Sequence, residues 1–340
     1  MTFRFVSICL LVVLFFLLNI IIGTIFIPLS EVIDVLFSSG ENASQVSQNI
    51  LLKSRLPQAA TALAAGAGLS ISGLQMQTIF HNPLASPSVL GISNGASLGV
   101  ALVVLLSGSI GGVALSSMGL AGNALLIASA IMGSLAVMML ILAISQRVKG
   151  NATLLIIGVM VGYVATAIIG VLKNFSNEED IRAYVVWGLG SFSRVSAGQV
   201  WLFVGIMSVL VPLSMLLIKT MNILLLGDKY AQNLGLNISQ ARMLVISCSG
   251  VLVAVVTAYC GPIMFLGLAV PHLCRALWRT NDNRVLMPAT ALTGAALALI
   301  CNLIARMPGF EGALPVNSVT ALIGAPIVAS VLFRHKTDMM

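Results

Sequence analysis

From Leu56 the chain reads LPQAATALAAGAGLSISGLQMQTIFHNPLASPSVLGISNGASLGV to Val100, and it runs on without an Asp, Glu, Lys or Arg as far as Gln146. A helix that crosses the hydrocarbon core of a bilayer needs about 20 consecutive apolar residues. With short turns between them, this one stretch of 91 residues holds three such helices. It does not alternate polar and apolar residues in segments of about ten, as the strands of a membrane barrel would, so the spans are helical. A soluble domain is about a quarter charged. Here 8% of 340 residues are charged and 59% are hydrophobic, which leaves too few charges for a water-soluble surface or a disordered chain. A nucleic-acid binder would need clustered, solvated basic residues, so the net charge of +7 does not point to nucleic acid. The class that remains is an all-α, polytopic membrane protein.

Working outward, charge-free runs recur at Phe5–Ser30, Asn151–Leu172, Val195–Ile218, Met243–Cys274, Val285–Ala305 and Gly312–Phe333. Met243–Cys274 is too long for one span, and the Gly261-Pro262 dipeptide splits it. The sequence therefore predicts ten membrane helices, over 5–27, 57–79, 88–107, 121–146, 152–172, 199–220, 243–260, 265–280, 285–304 and 316–334. All of 1–340 reads as one transmembrane domain, with outer loops at 28–55, 173–198 and 305–315 and an inner polar segment at 226–242.

Basic residues collect on the cytoplasmic side of membrane proteins. With the N-terminus inside, the inner segments hold eleven of them: Arg4, Arg147, Lys149, Lys219, Lys229, Arg242, Arg275, Arg279, Arg284, Arg334 and Lys336. Three acids accompany them, Asp228, Asp282 and Asp338. The outer segments hold Lys53, Arg55, Lys173, Arg182, Arg194 and Arg306 against Glu31, Asp34, Glu41, Glu178, Glu179, Asp180 and Glu311. A surplus of +8 inside and −1 outside fits an even number of spans with both termini cytoplasmic. The first span is expected to remain a membrane helix, because its apolar core is longer than that of a signal peptide and no small-x-small cleavage site follows.

The interior residues argue for a passage and against chemistry. Gly91, Gly95 and Gly99 recur at four-residue spacing, as do other small residues in the spans, and such faces let membrane helices approach closely. Pro83 and Pro87 in one half, and Pro262 and Pro271 in the other, predict broken helices and hint at an inverted internal repeat. No carboxylate lies deep in a span, which weighs against an ion-coupled carrier. His81, His272 and His335 are far apart and no HExxH occurs, so neither a catalytic set nor a metal site is expected. The five cysteines form no CxxC pair and read as small buried hydrophobes. No GxxxxGK[ST] is present, so energy for uphill movement would come from a partner.

The informative polar stretch is LGDKYAQNLGLNISQAR, Leu226–Arg242. Gly227 and Gly235 bracket a short helix, with Ala231 and Leu234 expected on one face. Gly235 is a candidate C-cap, and Asn237 or Ser239 an N-cap for the next helix. A short amphipathic helix at the cytoplasmic side of a chain without its own motor reads as a docking surface.

Several segments together resemble one family. They are Ser54-Arg55-Leu56-Pro57, Gly66–Gln77, Asn82-Pro83-Leu84-Ala85-Ser86-Pro87, Leu90–Ala96, Trp187–Phe192, Leu226–Leu236, Gly261–His272 and Leu314–Pro326. In this order they are similar to the FecCD/BtuC-type permeases of binding-protein-dependent ABC importers for iron–siderophores, haem and cobalamin. The resemblance implies a type II ABC-importer bundle in the cell inner membrane. It implies a homodimer, two cytoplasmic ABC ATPases that carry ATP and Mg, and a periplasmic or lipid-anchored substrate-binding protein. No cofactor would be bound by this chain. By position, Gly227, Asp228, Lys229, Ala231, Leu234, Gly235 and Leu236 would couple to the ATPase. Arg55 and Arg306 would meet acids of the binding protein. Asn82, Leu84, Asn151 and Thr153 would form the cytoplasmic gate, with the pathway along the fifth and tenth spans. Gln58 stands where the family often has a second arginine, so that contact is expected to be weaker or shared with Lys53. The cargo implied is an iron chelate, with a corrinoid as the alternative. An ion-coupled carrier and a plain membrane anchor remain as rivals, and the resemblance implies no catalytic activity of the chain itself.

Overall fold

The computed structural model describes residues 2–37, 43–110, 119–148, 150–308 and 314–337. Glu41, Lys149, Glu311 and Asp338 of the charge tally lie outside them. The helices are, in order, α1 (Thr2–Ile21), α2 (Leu29–Phe37), α3 (Gln45–Ile50), α4 (Leu56–Phe80), α5 (Ile92–Ile110), α6 (Gly119–Ser145), α7 (Asn151–Asn174) and α8 (Glu178–Gly188). There follow α9 (Ala197–Met215), α10 (Ile218–Leu224), α11 (Asp228–Asn233), α12 (Ile238–Cys260), α13 (Leu266–Trp278), α14 (Asn283–Ala305) and α15 (Val316–Thr337). No strand occurs among the described residues. The predicted spans correspond to α1, α4, α5, α6, α7, α9, α12, α13, α14 and α15. Seven of these are long and apolar enough to cross a bilayer as single helices; Ile92–Leu106 of α5 and Val316–Ala329 of α15 are shorter apolar stretches, and α13 has 13 residues.

Three expectations need correction. The outer loops are largely helical: 28–55 contains α2, α3 and a π-helical turn at Leu51–Arg55, and 173–198 contains α8. These helices escaped the reading because they carry charges and are too short to span. The sixth span does not reach 220. Pro212 removes a hydrogen-bond donor from the last turns of α9, the helix stops at Met215, and α10 begins after a turn. Finally, Gly91, Gly95 and Gly99 do not share one face. Gly95 and Gly99 lie against Gly133 and Ser129 of α6. Gly91 instead takes a left-handed turn (φ 77°) before α5 and lies against Gly158 and Gly162 of α7.

The axis of the bundle is α4. Nearly every residue from Pro57 to Phe80 is buried, and most are Ala, Gly, Ser or Thr. Small side chains matter here because lipid supplies no hydrophobic force between helices, so close van der Waals packing must hold them together. At two points the backbones nearly touch. A Cβ on Gly66 would overlap the Gly294 carbonyl of α14, and one on Gly73 the Gly267 carbonyl of α13. Polar pairs tie other neighbours. Ser72 of α4 meets Ser249 of α12. Asn19 of α1 donates to Leu299 O at 3.0 Å and accepts from Asn302 Nδ2 of α14 at 2.8 Å.

Helix termini sort into two ends. Arg4 Nη1 donates to Leu277 O (2.7 Å) and Asn222 Nδ2 to Asp282 Oδ1 (2.6 Å), which brings the starts of α1 and α14 beside α10, α11 and the end of α13. At the other end lie Arg55, the end of α14 and the start of α15. Arg4, Asp228, Arg242 and Asp282 lie at the first end, and Arg55 and Arg306 at the second.

Between α12 and α13 the chain is not helical. Gly261 has φ 76° and Phe265, a non-glycine residue, φ 68°. Unwound backbone at membrane depth must find partners within the protein. Asn317 of α15 supplies them: its Oδ1 accepts from Met264 N (2.9 Å) and its Nδ2 donates to Pro262 O (2.9 Å). Nothing in the sequence pattern singled out Asn317.

Candidate functional site

At one end α11 is fixed from both sides. It starts at Gly227 (φ 91°), and Asp228 in its first turn pairs with Arg242 of α12 at 2.6 Å. It stops at a Schellman turn: Gly235 N donates to Gln232 O (2.8 Å) and Leu236 N to Ala231 O (3.0 Å), with Gly235 left-handed at φ 84°. Asn237, the first of the two candidates, caps α12 by accepting from Gln240 N at 3.2 Å. Ala231 is completely buried, but Leu234 is 64% exposed, so the two do not share a face. The helix has already ended at Leu234 (ψ 6°), and the turn swings that side chain outward. Lys229, Gly235 and Tyr230 are exposed with it, as are Leu225 and Leu226.

The predicted gate residues lie nearby in part. Asn82 forms an Asx turn, its Oδ1 accepting from Leu84 N at 2.9 Å, and Leu84 is exposed. The turn is held by two histidines. His272 Nε2 donates to Pro83 O (2.7 Å) and His81 Nε2 to Leu224 O (2.9 Å). Thr153 is exposed in the first turn of α7, next to the left-handed Gly150; the side chain of Asn151 lies outside the description. Gly91, which follows the Pro87–Leu90 turn, packs on α7 at Gly158, one turn and more beyond Thr153. The two histidines were assigned no role by sequence reasoning. Their one visible signal is that they stand inside or beside the Pro-containing motifs.

At the other end the two arginines separate in kind. Arg55 is 1% exposed. Its Nη1 donates to Ile20 O (2.8 Å) and Ile21 O (2.6 Å), and its Nη2 to Ile25 O. These are the orphan carbonyls at and beyond the end of α1, where a cation also complements the helix dipole. Gly23 makes room: a Cβ there would lie 3.0 Å from Arg55 Nε. Arg306, just past α14, has a buried Nη1 with no hydrogen-bond partner among the described residues. Burial, with the Arg55 charge adding to it, pushes its pKa down to about 10, so it stays charged at neutral pH. Both guanidiniums line a cavity of about 330 Å³ with Ser54, Gln58, Ser191, Ser193 and Asn302, and no acid lines it among the described residues. Gln58 donates to Ser54 Oγ at 3.0 Å, while Lys53 is exposed beside it.

A bundle of ten apolar helices around a small-residue axis, with a rigid exposed helix at one end and a basic cavity at the other, defines a membrane permease. The FecCD transport family model matches residues 10–334, and the chain belongs to that family. It is 35% identical over 305 residues to the vitamin B12 import system permease protein BtuC of Serratia proteamaculans, covering 89% of this chain and 88% of that one. The protein of the same name from Klebsiella pneumoniae is 36% identical, covering 87% and 86%. Among solved structures, the chain is similar to one described as an inward-facing metal-chelate-type ABC transporter. The TM-score is 0.83 at 29% identity, covering 98% of this chain and all of that one.

Proposed function

We propose that this chain is the membrane-spanning subunit of an ATP-driven importer for a bulky metal chelate, working in the inner membrane as a homodimer. The α11 end faces the cytoplasm and docks an ABC ATPase, which holds ATP and Mg. The Arg55 end faces a substrate-binding protein, and the pathway runs along α7 and α15 of the two copies. The whole chain acts as one transmembrane domain that supplies the route and breaks no bond. The observation that carries this reading is α11: a short helix braced by an ion pair and two left-handed glycines, with apolar side chains displayed at the end where the basic residues collect.

Alternating access is the mechanism this reading implies. Closure of the two ATPases would push on α11, and the Asn82–Leu84 and Gly150–Thr153 segments would open or close beneath it. Arg306, with its unfilled Nη1, is the group best placed to receive a carboxylate from the binding protein. Arg55 shapes the cavity from behind.

Two cargo readings each have one supporting observation. An iron–siderophore or haem is favoured by the similarity to the metal-chelate-type transporter. A corrinoid is favoured by the B12 permeases among the curated relatives. The test is uptake into proteoliposomes that hold this chain, its ATPase and ATP, fed by the cognate binding protein loaded with ferric hydroxamate, haem or cyanocobalamin. Accumulation of one of them that stops without ATP is the expected result. Uptake that persists without ATP and collapses with an ionophore would overturn the importer reading.

A further inference from the structure

His81 occupies a position where a helix end normally places glycine. It closes α4 in the left-handed region at φ 47°, with His81 N donating to Thr78 O (3.4 Å) and Asn82 N to Gln77 O (3.3 Å). The same pair of bonds closes α11, and the equivalent residue there is Gly235. Glycine adopts this conformation without a side-chain clash, so a histidine in its place points to use of the imidazole. A carbonyl only accepts, so His81 Nε2 donates to Leu224 O across 2.9 Å. Leu224 is the last residue of α10, three positions before Gly227 and the start of α11.

The opposite flank of the same loop is anchored to α13. His272 Nε2 donates to Pro83 O, Arg275 Nη1 donates to Gln77 Oε1 (2.6 Å), and Gln77 Nε2 donates to Leu268 O (3.2 Å). The α13 side is thus tied by three bonds. On the α10 side His81 is bonded to a seven-residue helix with a turn at each end, Leu217 N to Ser214 O before it and Gly227 N to Leu224 O after it, and Asn222 in that helix is bonded in turn to Asp282 and Asn283 at the start of α14. Turns of this kind are where a backbone can absorb a change of angle.

We propose that His81 is a positioning residue that transmits displacement of α11, through the Leu224 carbonyl, to the Asn82–Leu84 turn. The proposal rests on the importer reading above. α10 leads directly into α11, and the imidazole is the link between α10 and the turn.

The test uses the full complex in nanodiscs carrying Leu84→Cys. Its rate of labelling by a water-soluble maleimide is read with and without ATP and vanadate, and the native cysteines are subtracted with the Leu84 parent. With His81 in place the nucleotide should change the rate by about fivefold, the low end of common allosteric couplings. His81→Gly removes the link while keeping the residue that best fits the helix end. Assembly and thermal stability should hold while the nucleotide response is lost. His81→Gln, which can donate to the same carbonyl, should recover part of the response. A response that survives His81→Gly overturns the link and leaves the importer reading intact. Absence of any response with His81 present overturns both.

Discussion

At the Arg55 end of the bundle a guanidinium is 1% exposed and spends its donors on carbonyls of its own chain, while at the α11 end Leu226, Tyr230 and Leu234 stand more than half in the open. Water should reward the reverse arrangement, with charge outside and apolar surface covered. At the first end the explanation is internal. α1 terminates with unsatisfied carbonyls, and a buried arginine meets them more strongly than a neutral donor would. At the second end the ion pair Asp228–Arg242 and the C-terminal turn hold α11 without using these apolar side chains. On the proposed reading its exposed leucines and tyrosine form the surface that the ATPase covers. The proposal thus makes one end a rigid support and the other a contact.

The sharpest way to break that contrast is to deform α11 from its buried side. Ala231 has no exposed surface, so Ala231→Trp must lift the helix off α12 or displace it sideways. ATP-driven uptake should fall by about tenfold or more, while ATP hydrolysis by the assembled complex persists, since the transmitted motion and not the motor is damaged. Parallel uptake and hydrolysis measurements in proteoliposomes read this directly. Undiminished uptake per ATP would show that α11 is not the coupling element.

The two arginines divide the other end. Arg55→Met should cost about 3 kcal/mol of stability, because it removes the donors to three carbonyls at and beyond the end of α1, that of Ile20 fully buried. It should appear as a lower thermal unfolding temperature in detergent. Arg306→Gln leaves no such orphan and relieves the repulsion between neighbouring guanidiniums, so the unfolding temperature should stay within a degree or two. Its effect should instead be on docking: affinity for the binding protein should weaken about tenfold, roughly 1.4 kcal/mol, and lose part of its salt dependence. Equal loss of stability from both variants would erase the distinction drawn between them.

How much of this could be read before the structure depended on the kind of signal. Charge-free runs marked ten spans, since exclusion of charge from hydrocarbon is local and strong. Gly235 and Asn237 were legible because capping chemistry is written in single residue types. The burial of Arg55 was not: a basic residue at the edge of a span looks the same whether it faces a partner or folds back onto a helix end 30 residues earlier. Asn317 was invisible for a related reason, because its value lies in an unwound segment some 55 residues away. Ala231 and Leu234 were placed on one face by helical spacing, which failed where the helix ended one residue early.

The smallest expected effect is also the cleanest discriminator between the ends. Leu234→Ser changes an exposed side chain beyond the last turn of α11 and should alter thermal stability by less than about 0.5 kcal/mol. If the exposed face were merely bathed in water, nothing else would change. As the seat of a partner it should lose an apolar contact worth about 1–2 kcal/mol when buried, so the ATPase should dissociate several-fold faster from the nanodisc complex. Pairing it with Tyr230→Ser, on the same exposed surface, should deepen the loss without touching the fold. A Leu234→Ser complex as long-lived as the parent would move the docking surface away from the end of α11 toward Leu225 and Leu226.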